Sequence, residues 1–336
     1  MIAAPKNRWV QYGLRLALTV VILVGLVAIA DVDTLGSVLG RVGLGAFVLA
    51  TLLHIAGSIV VPAVVSHRSI HGTPLDLSLR QLVLINFSIR FYTMVLPRAT
   101  ATGVRWVKYR SAGGGSHAAA LVVLEKLVQV FVYSVIAIIF MIVDFGRFGG
   151  EFVPLLLVPL GAAVATGIGL IAVFTARLDP LLSRWTLTRR MPAVDRRLGQ
   201  IASAVKSQRG RSITEAAALG GWSTLGFIFF VASAWIVVRD LNILLPLVGL
   251  IWIRGVVFLG TLFPLTIAGA GVREAGFVGF THFYGIDSAT APGLALSLLG
   301  LQIAIGAVGG LVELTGQFGF WRNHAVESKE KVHADV

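Results

Sequence analysis

Six apolar runs, residues 12-30, 43-65, 117-143, 152-175, 214-238 and 290-318, are each long enough to cross a hydrocarbon core about 30 Å thick, which takes roughly 20 residues of helix. Inside a bilayer the backbone has no water to bond. Each run is therefore expected to fold as a helix that satisfies its own amides, and the fold class is all-α, a polytopic membrane helix bundle. Composition agrees: 56% of the 336 residues are hydrophobic and 13% charged, whereas a soluble domain carries about 25% charged residues. Two further runs, 79-97 and 243-265, are apolar but hold Arg90 and Arg254, and each ends at a proline, Pro97 or Pro264, followed by a Gly- and Thr-containing stretch. These read as broken or re-entrant segments. Such segments are tolerated at membrane depth only where protein or a wet cavity satisfies the backbone.

Lys6, Arg8 and Arg15 precede a run ending in Ala28-Ile29-Ala30, a pattern that resembles a signal-peptide cleavage site. An uncleaved first span is preferred, because the rest of the chain is itself membrane-embedded. The chain has no cysteine, which excludes disulfides, thiolate metal sites and a cysteine nucleophile.

Net charge is +12, and in a soluble chain that excess would suggest nucleic-acid binding. Here its distribution is a topology signal, and no nucleic-acid partner is expected. The segment 176-212 holds Arg177, Arg184, Arg189, Arg190, Arg196, Arg197, Lys206, Arg209 and Arg211 against Asp179 and Asp195, so it is assigned to the cytoplasm. Counting crossings from it places 98-116, with Arg98, Arg105, Lys108 and Arg110, on the same side. Both termini then lie in the cytoplasm and 266-289 lies outside. An amphipathic stretch from Val194 to Val205 is expected to lie along the cytoplasmic surface of a cell membrane.

With this topology the two broken segments enter from opposite faces, as in an inverted repeat. Pro97 to Arg105 corresponds to Pro264 to Arg273 with one residue inserted and Gly-Val-Arg shared. The organisation expected is one membrane domain over 1-336, with repeat halves at 12-143 and 214-318, the basic linker 176-212 between them and a polar, disordered tail at 322-336.

A guanidinium at the bilayer centre costs several kcal/mol unless it meets a partner or a wet cavity. Arg90 and Arg254 are thus candidate phosphate ligands, the planar fork suiting bidentate contact. The structural alternative pairs them with Glu125 or Glu274, or lets them snorkel. Arg105 and Arg273 follow glycine-containing turns, around Gly103 and around Gly269 and Gly271, whose N–H groups are candidate cradles for an anion at a helix start. The plainer alternatives are a positive-inside charge for Arg105 and a pair with its neighbour for Arg273. Glu125 and Glu274 each have three options: pairing with a cationic head group, taking up a proton, or neutralising an embedded arginine. Glu313 reads as interfacial and His54 as a packed polar residue. Gly306 with Gly310, and Gly161, Ala165 and Gly169, read as helix-packing sets; Trp9, Trp106, Trp185 and Trp321 read as interfacial anchors.

The sequence has no G-x-x-x-x-G-K-[ST] loop, no metal-ligand cluster and no nucleophile with a base. ATP hydrolysis, a cofactor and enzymatic catalysis are not expected.

The stretch from Pro264 to Ala275, Pro-Leu-Thr-Ile-Ala-Gly-Ala-Gly-Val-Arg-Glu-Ala, resembles the Pro-Leu-x-Ile-Gly-Gly-x-Gly-x-Arg-Glu motif of the lysylphosphatidylglycerol synthase transmembrane (flippase-like) family. Pro97, Arg105 and Glu125-Lys126 are similar to the family's first motif, with Ala99 to Thr102 in place of its glycines and aspartate. The resemblance implies movement of lipid-linked cargo between leaflets; because the longest polar segment is the linker 176-212, a stand-alone member without a synthase domain is expected. Three readings are open. The first is a translocase that holds a phospholipid or polyprenyl-phosphate head group through Arg90, Arg105, Arg254 and Arg273. The second is a non-transporting subunit that recruits a lipid-modifying enzyme or glycosyltransferase, and the third is a secondary transporter of a small anion. A lateral opening would favour the first, a sealed polar centre the second and a closed aqueous vestibule the third.

Overall fold

The computed structural model describes residues 40–70, 75–95, 98–110, 112, 117–148, 152–175, 213–262, 271–287 and 290–334. The first expected span, the linker 176-212 and the glycine turn that holds Gly269 lie outside them. The described residues are helical, with no strand among them.

Among the described residues, five helices are long and apolar enough to cross a membrane. They are α1 (Leu44–Ile70), α4 (His117–Phe148), α5 (Phe152–Thr175), α6 (Ile213–Asp240) and the first part of α9 (Thr290–Ala334). The expected boundaries hold within a few residues, except that α9 runs through the tail expected to be disordered and ends at Ala334. Ala, Glu and Lys, good helix formers, are frequent there.

Each of the two arginine-bearing runs folds as a helix followed by a second, shorter one. The first gives α2 (Leu79–Val95) and α3 (Arg98–Tyr109), the second α7 (Leu247–Gly260) and α8 (Val272–Thr281). The 14 residues of α7 rise only about 21 Å at 1.5 Å per residue, short of a crossing. Both pairs are held inside the bundle: α2 packs along α9, α7 along α4, and α6 along α1.

Lipid does not drive helices together, so close approach depends on small residues. Gly309 lies directly against the Phe87 carbonyl, flanked by Gly306 against Met94 and Gly310 against Phe91. This joins α9 to α2. A Cβ on Gly57 would stand 2.7 Å from the Gly226 carbonyl oxygen, which joins α1 to α6. Gly161 and Ala165, expected at a packing face, are exposed on α5 among Leu157, Leu160, Val164 and Ile168. That face is apolar and exposed, as suits contact with lipid, whereas Gly167 and Gly169 meet Phe131 and Leu127 of α4.

Within α1 the winding loosens to a π-helix over Ala56–Val60. The wider turn redirects main-chain carbonyls near the middle of a membrane span.

Candidate functional site

The carbonyls of that π turn have side-chain partners. On α2, Asn86 and Arg90 stand at i and i+4 and share a face. Asn86 donates its Nδ2 to the Ile59 carbonyl at 3.0 Å, and Arg90 donates Nη2 to the Ser58 carbonyl at 3.0 Å. Across the molecule Arg254 of α7, 2% exposed, donates Nη2 to the Phe230 carbonyl of α6 at 2.8 Å. Its guanidinium carbon stands 3.4 Å from the centre of the Phe230 ring, and Phe277 lies 5.7 Å away on α8. Ser58 and Phe230 both fall near the middle of membrane-spanning helices, so both arginines sit deep.

The remaining arginines have carboxylate partners. Arg105 donates Nη1 to Glu125 Oε2 at 2.8 Å and Nη2 to Asn86 Oδ1 at 2.6 Å. Arg273 donates Nε to Glu274 Oε1 at 2.7 Å, with Nη2 on the same oxygen and Nη1 on Gln302 Oε1. Each of these two guanidiniums thus holds one carboxylate and one side-chain amide. The proposed pairing of Arg90 or Arg254 with Glu125 or Glu274 does not occur: both carboxylates are taken by the other arginines, which are closer.

Two expectations about the glycine turns need correction. Arg105 does not follow a turn, because Arg98–Tyr109 is continuous helix and Gly103 lies inside it, beyond the first turn whose N–H groups are free of intrahelical bonds. Gly271 does turn the chain, at φ 85°, a conformation suited to glycine. Its N–H, however, is taken by Glu274 Oε2 at 2.6 Å and is no cradle for an anion. Glu274, fully buried, therefore caps α8 and neutralises Arg273 at once.

Arg90, Arg105, Glu125, Arg254 and Arg273 all line one cavity of about 550 Å³. Sequence reasoning missed Asn86, Gln129 and Gln302, which line it with them and bring amides, and gave no role to Lys126 of the first motif, which brings a further cation. Lys126 donates to Gln129 Oε1 at 3.0 Å and lies 4.8 Å from the centre of the Phe258 ring. A usable signal existed for Asn86, which precedes Arg90 by one helical turn, so that the two polar side chains share a face of a largely apolar run. His54, 3% exposed, also reaches the cavity; its Nδ1 lies 3.4 Å from Ser233 Oγ and its ring meets Phe230 edge-on. Val65, Val257, Leu299 and Ile303 give the same space an apolar wall.

Beside the cavity, Lys108 donates Nζ to Ser88 Oγ at 2.6 Å and to Glu313 Oε2 at 2.8 Å, and Tyr92 donates its hydroxyl to Glu313 Oε1 at 2.9 Å. Glu313, expected at an interface, instead fastens α2 and α3 to α9. Arg105 and Lys108, expected among the cytoplasmic charges of 98-116, are both engaged in ion pairs within the bundle. Arg110, exposed and 5.5 Å from the centre of the Trp106 ring, keeps the character of a boundary charge. Among the described residues no group of His, Asp or Glu is placed to hold a metal ion.

The model of one protein family, described as the lysylphosphatidylglycerol synthase TM region, matches residues 14–310. No curated protein matches the chain.

Proposed function

The chain belongs to the lysylphosphatidylglycerol synthase transmembrane family, a multi-pass membrane protein linked to lipid handling, and from that premise we propose that it is a flippase-like protein. It binds the phosphate of a phospholipid or polyprenyl-phosphate-linked lipid in the cavity and carries it between leaflets. One observation supports this reading above the others. Four arginines converge on one cavity near mid-span, and two of them have no carboxylate partner among the described residues. Cations held at such depth favour an anionic guest. The apolar wall beside them suits acyl or prenyl chains, which a transporter of small anions has no need to accommodate. A cavity at the arginines, rather than a sealed polar centre, also favours this reading over a recruiting subunit. No covalent step is involved, so the protein acts without being an enzyme.

The similar settings of Arg90 and Arg254, each on a helix too short or too interrupted to span comfortably and each bound to a mid-span carbonyl, support the inverted repeat. The orientation that goes with it places the protein in the cell membrane with both termini and the linker 176-212 in the cytoplasm. In intact cells a cysteine introduced at Ser288 is expected to react with an impermeant thiol reagent, and one at Ser183 to be shielded. Labelling of Ser183 from outside contradicts the orientation.

Function is tested with purified protein in sealed vesicles that carry a trace of fluorescent phosphate lipid, quenched from outside. Protein-dependent loss of the shielded inner-leaflet signal, without leakage of trapped inorganic phosphate, is the expected outcome. Phosphate efflux without lipid movement would point to a small-anion transporter, and neither activity would point to a recruiting subunit.

A further inference from the structure

The charges around the cavity do not balance, and the imbalance bears on the class of head group that completes it. Arg105 and Arg273 have their carboxylates in Glu125 and Glu274. Arg90 and Arg254 form no ion pair among the described residues, and arginine does not lose its proton in a protein. Each gives one Nη2 to a main-chain carbonyl, which leaves its charge uncompensated. The Nε of Arg254 is buried and has no hydrogen-bond partner among the described residues. Two fixed positive charges that have no carboxylate among the described residues thus face one space deep in the bundle, beside the Lys126 ammonium, which donates to Gln129, and leaving them unmatched there is costly.

A phosphodiester head group brings a single negative charge, enough for one of the two guanidiniums. A terminal phosphate monoester brings roughly 1.5 to 2 negative charges near neutral pH and three strong acceptor oxygens, enough for both. A zwitterionic head group adds a cation to a site that already has an excess of them. We propose that the cavity selects a lipid whose head group ends in a phosphate monoester or diphosphate, over phosphodiester and zwitterionic lipids. This rests on the reading of the cavity as a site for a phosphate-bearing lipid and narrows the class it takes. Arg90 and Arg254 grip the terminal phosphate from α2 and α7, while the chains lie against Val257 and Ile303.

The test is competition on the full chain in detergent micelles, with phosphatidic acid carrying one fluorescent acyl chain as the probe. Unlabelled phosphatidic acid should displace it at roughly tenfold lower concentration than phosphatidylglycerol of the same acyl chains, the worth of one charge-assisted hydrogen bond. Phosphatidylethanolamine should be weakest. The advantage of phosphatidic acid should fade as pH drops below about 6, where the monoester regains its second proton, while phosphatidylglycerol binding stays level. Arg254→Gln should bring the two anionic lipids near parity, and Arg90→Gln provides the same readout from α2 if the first variant fails to accumulate. Equal displacement by the two lipids near neutral pH, or a preference that survives in both variants, would overturn the proposal. Displacement by inorganic phosphate as effective as that by phosphatidic acid would overturn its lipid part. A monoester preference in a protein that moves no lipid counts against the proposed function alone. Equal binding and transport of both anionic lipids count against the selectivity alone.

Discussion

Glu274→Gln is expected to destabilise the protein by about 3 kcal/mol or more, the cost of leaving a buried arginine without its counter-charge. Glu274 is fully buried, takes Nε and Nη2 of Arg273 on one oxygen and holds the Gly271 N–H on the other. The glutamine keeps one acceptor oxygen, for either the Arg273 donors or the Gly271 N–H, but no charge. The loss should be seen as a lower fraction of monodisperse protein surviving a heating series in detergent. Adding Arg273→Gln removes the stranded charge and should restore most of the survival, although the doubly changed protein has lost one of the cavity's arginines. Survival of Glu274→Gln equal to that of the unaltered chain would mean that Arg273 is neutralised by something other than this carboxylate.

Much of the architecture was legible because a bilayer leaves so few options. Runs of apolar residues mark spans almost directly, and an arginine inside such a run marks a place where the helix must meet protein or water. Arg90 and Arg254 were found in this way, and both line the cavity. The partners were not legible. Which of four arginines takes Glu125 depends on how α3 lies across α2 and α4, and spacing along the chain carries no information about that. The Gly103 region offered the composition of a turn, yet 98–109 is helix; one glycine among Ala, Val, Arg and Lys weakens a helix by only about 1 kcal/mol. The π turn at Ala56–Val60 left no signature either, since Ala-Gly-Ser-Ile-Val reads as an ordinary stretch of a span. It is nevertheless the feature that supplies carbonyls to Asn86 and Arg90.

Arg254 tests the central claim most directly, because its described partners are a carbonyl and two aromatic rings, with no carboxylate whose pairing would be broken. Arg254→Lys keeps the charge but loses the planar fork that stacks on Phe230 while offering donors to a phosphate. Arg254→Gln removes the charge as well. The decisive measurement is the rate of phosphate-lipid translocation in reconstituted vesicles, divided by the amount of folded protein, for these two variants. Arg239→Gln, at an exposed position outside the cavity, serves as the control. The account predicts a fall of roughly tenfold or more for Arg254→Gln, a smaller but clear fall for Arg254→Lys, and no change for Arg239→Gln. A rate per folded molecule that is the same in Arg254→Gln as in the unaltered protein would contradict it.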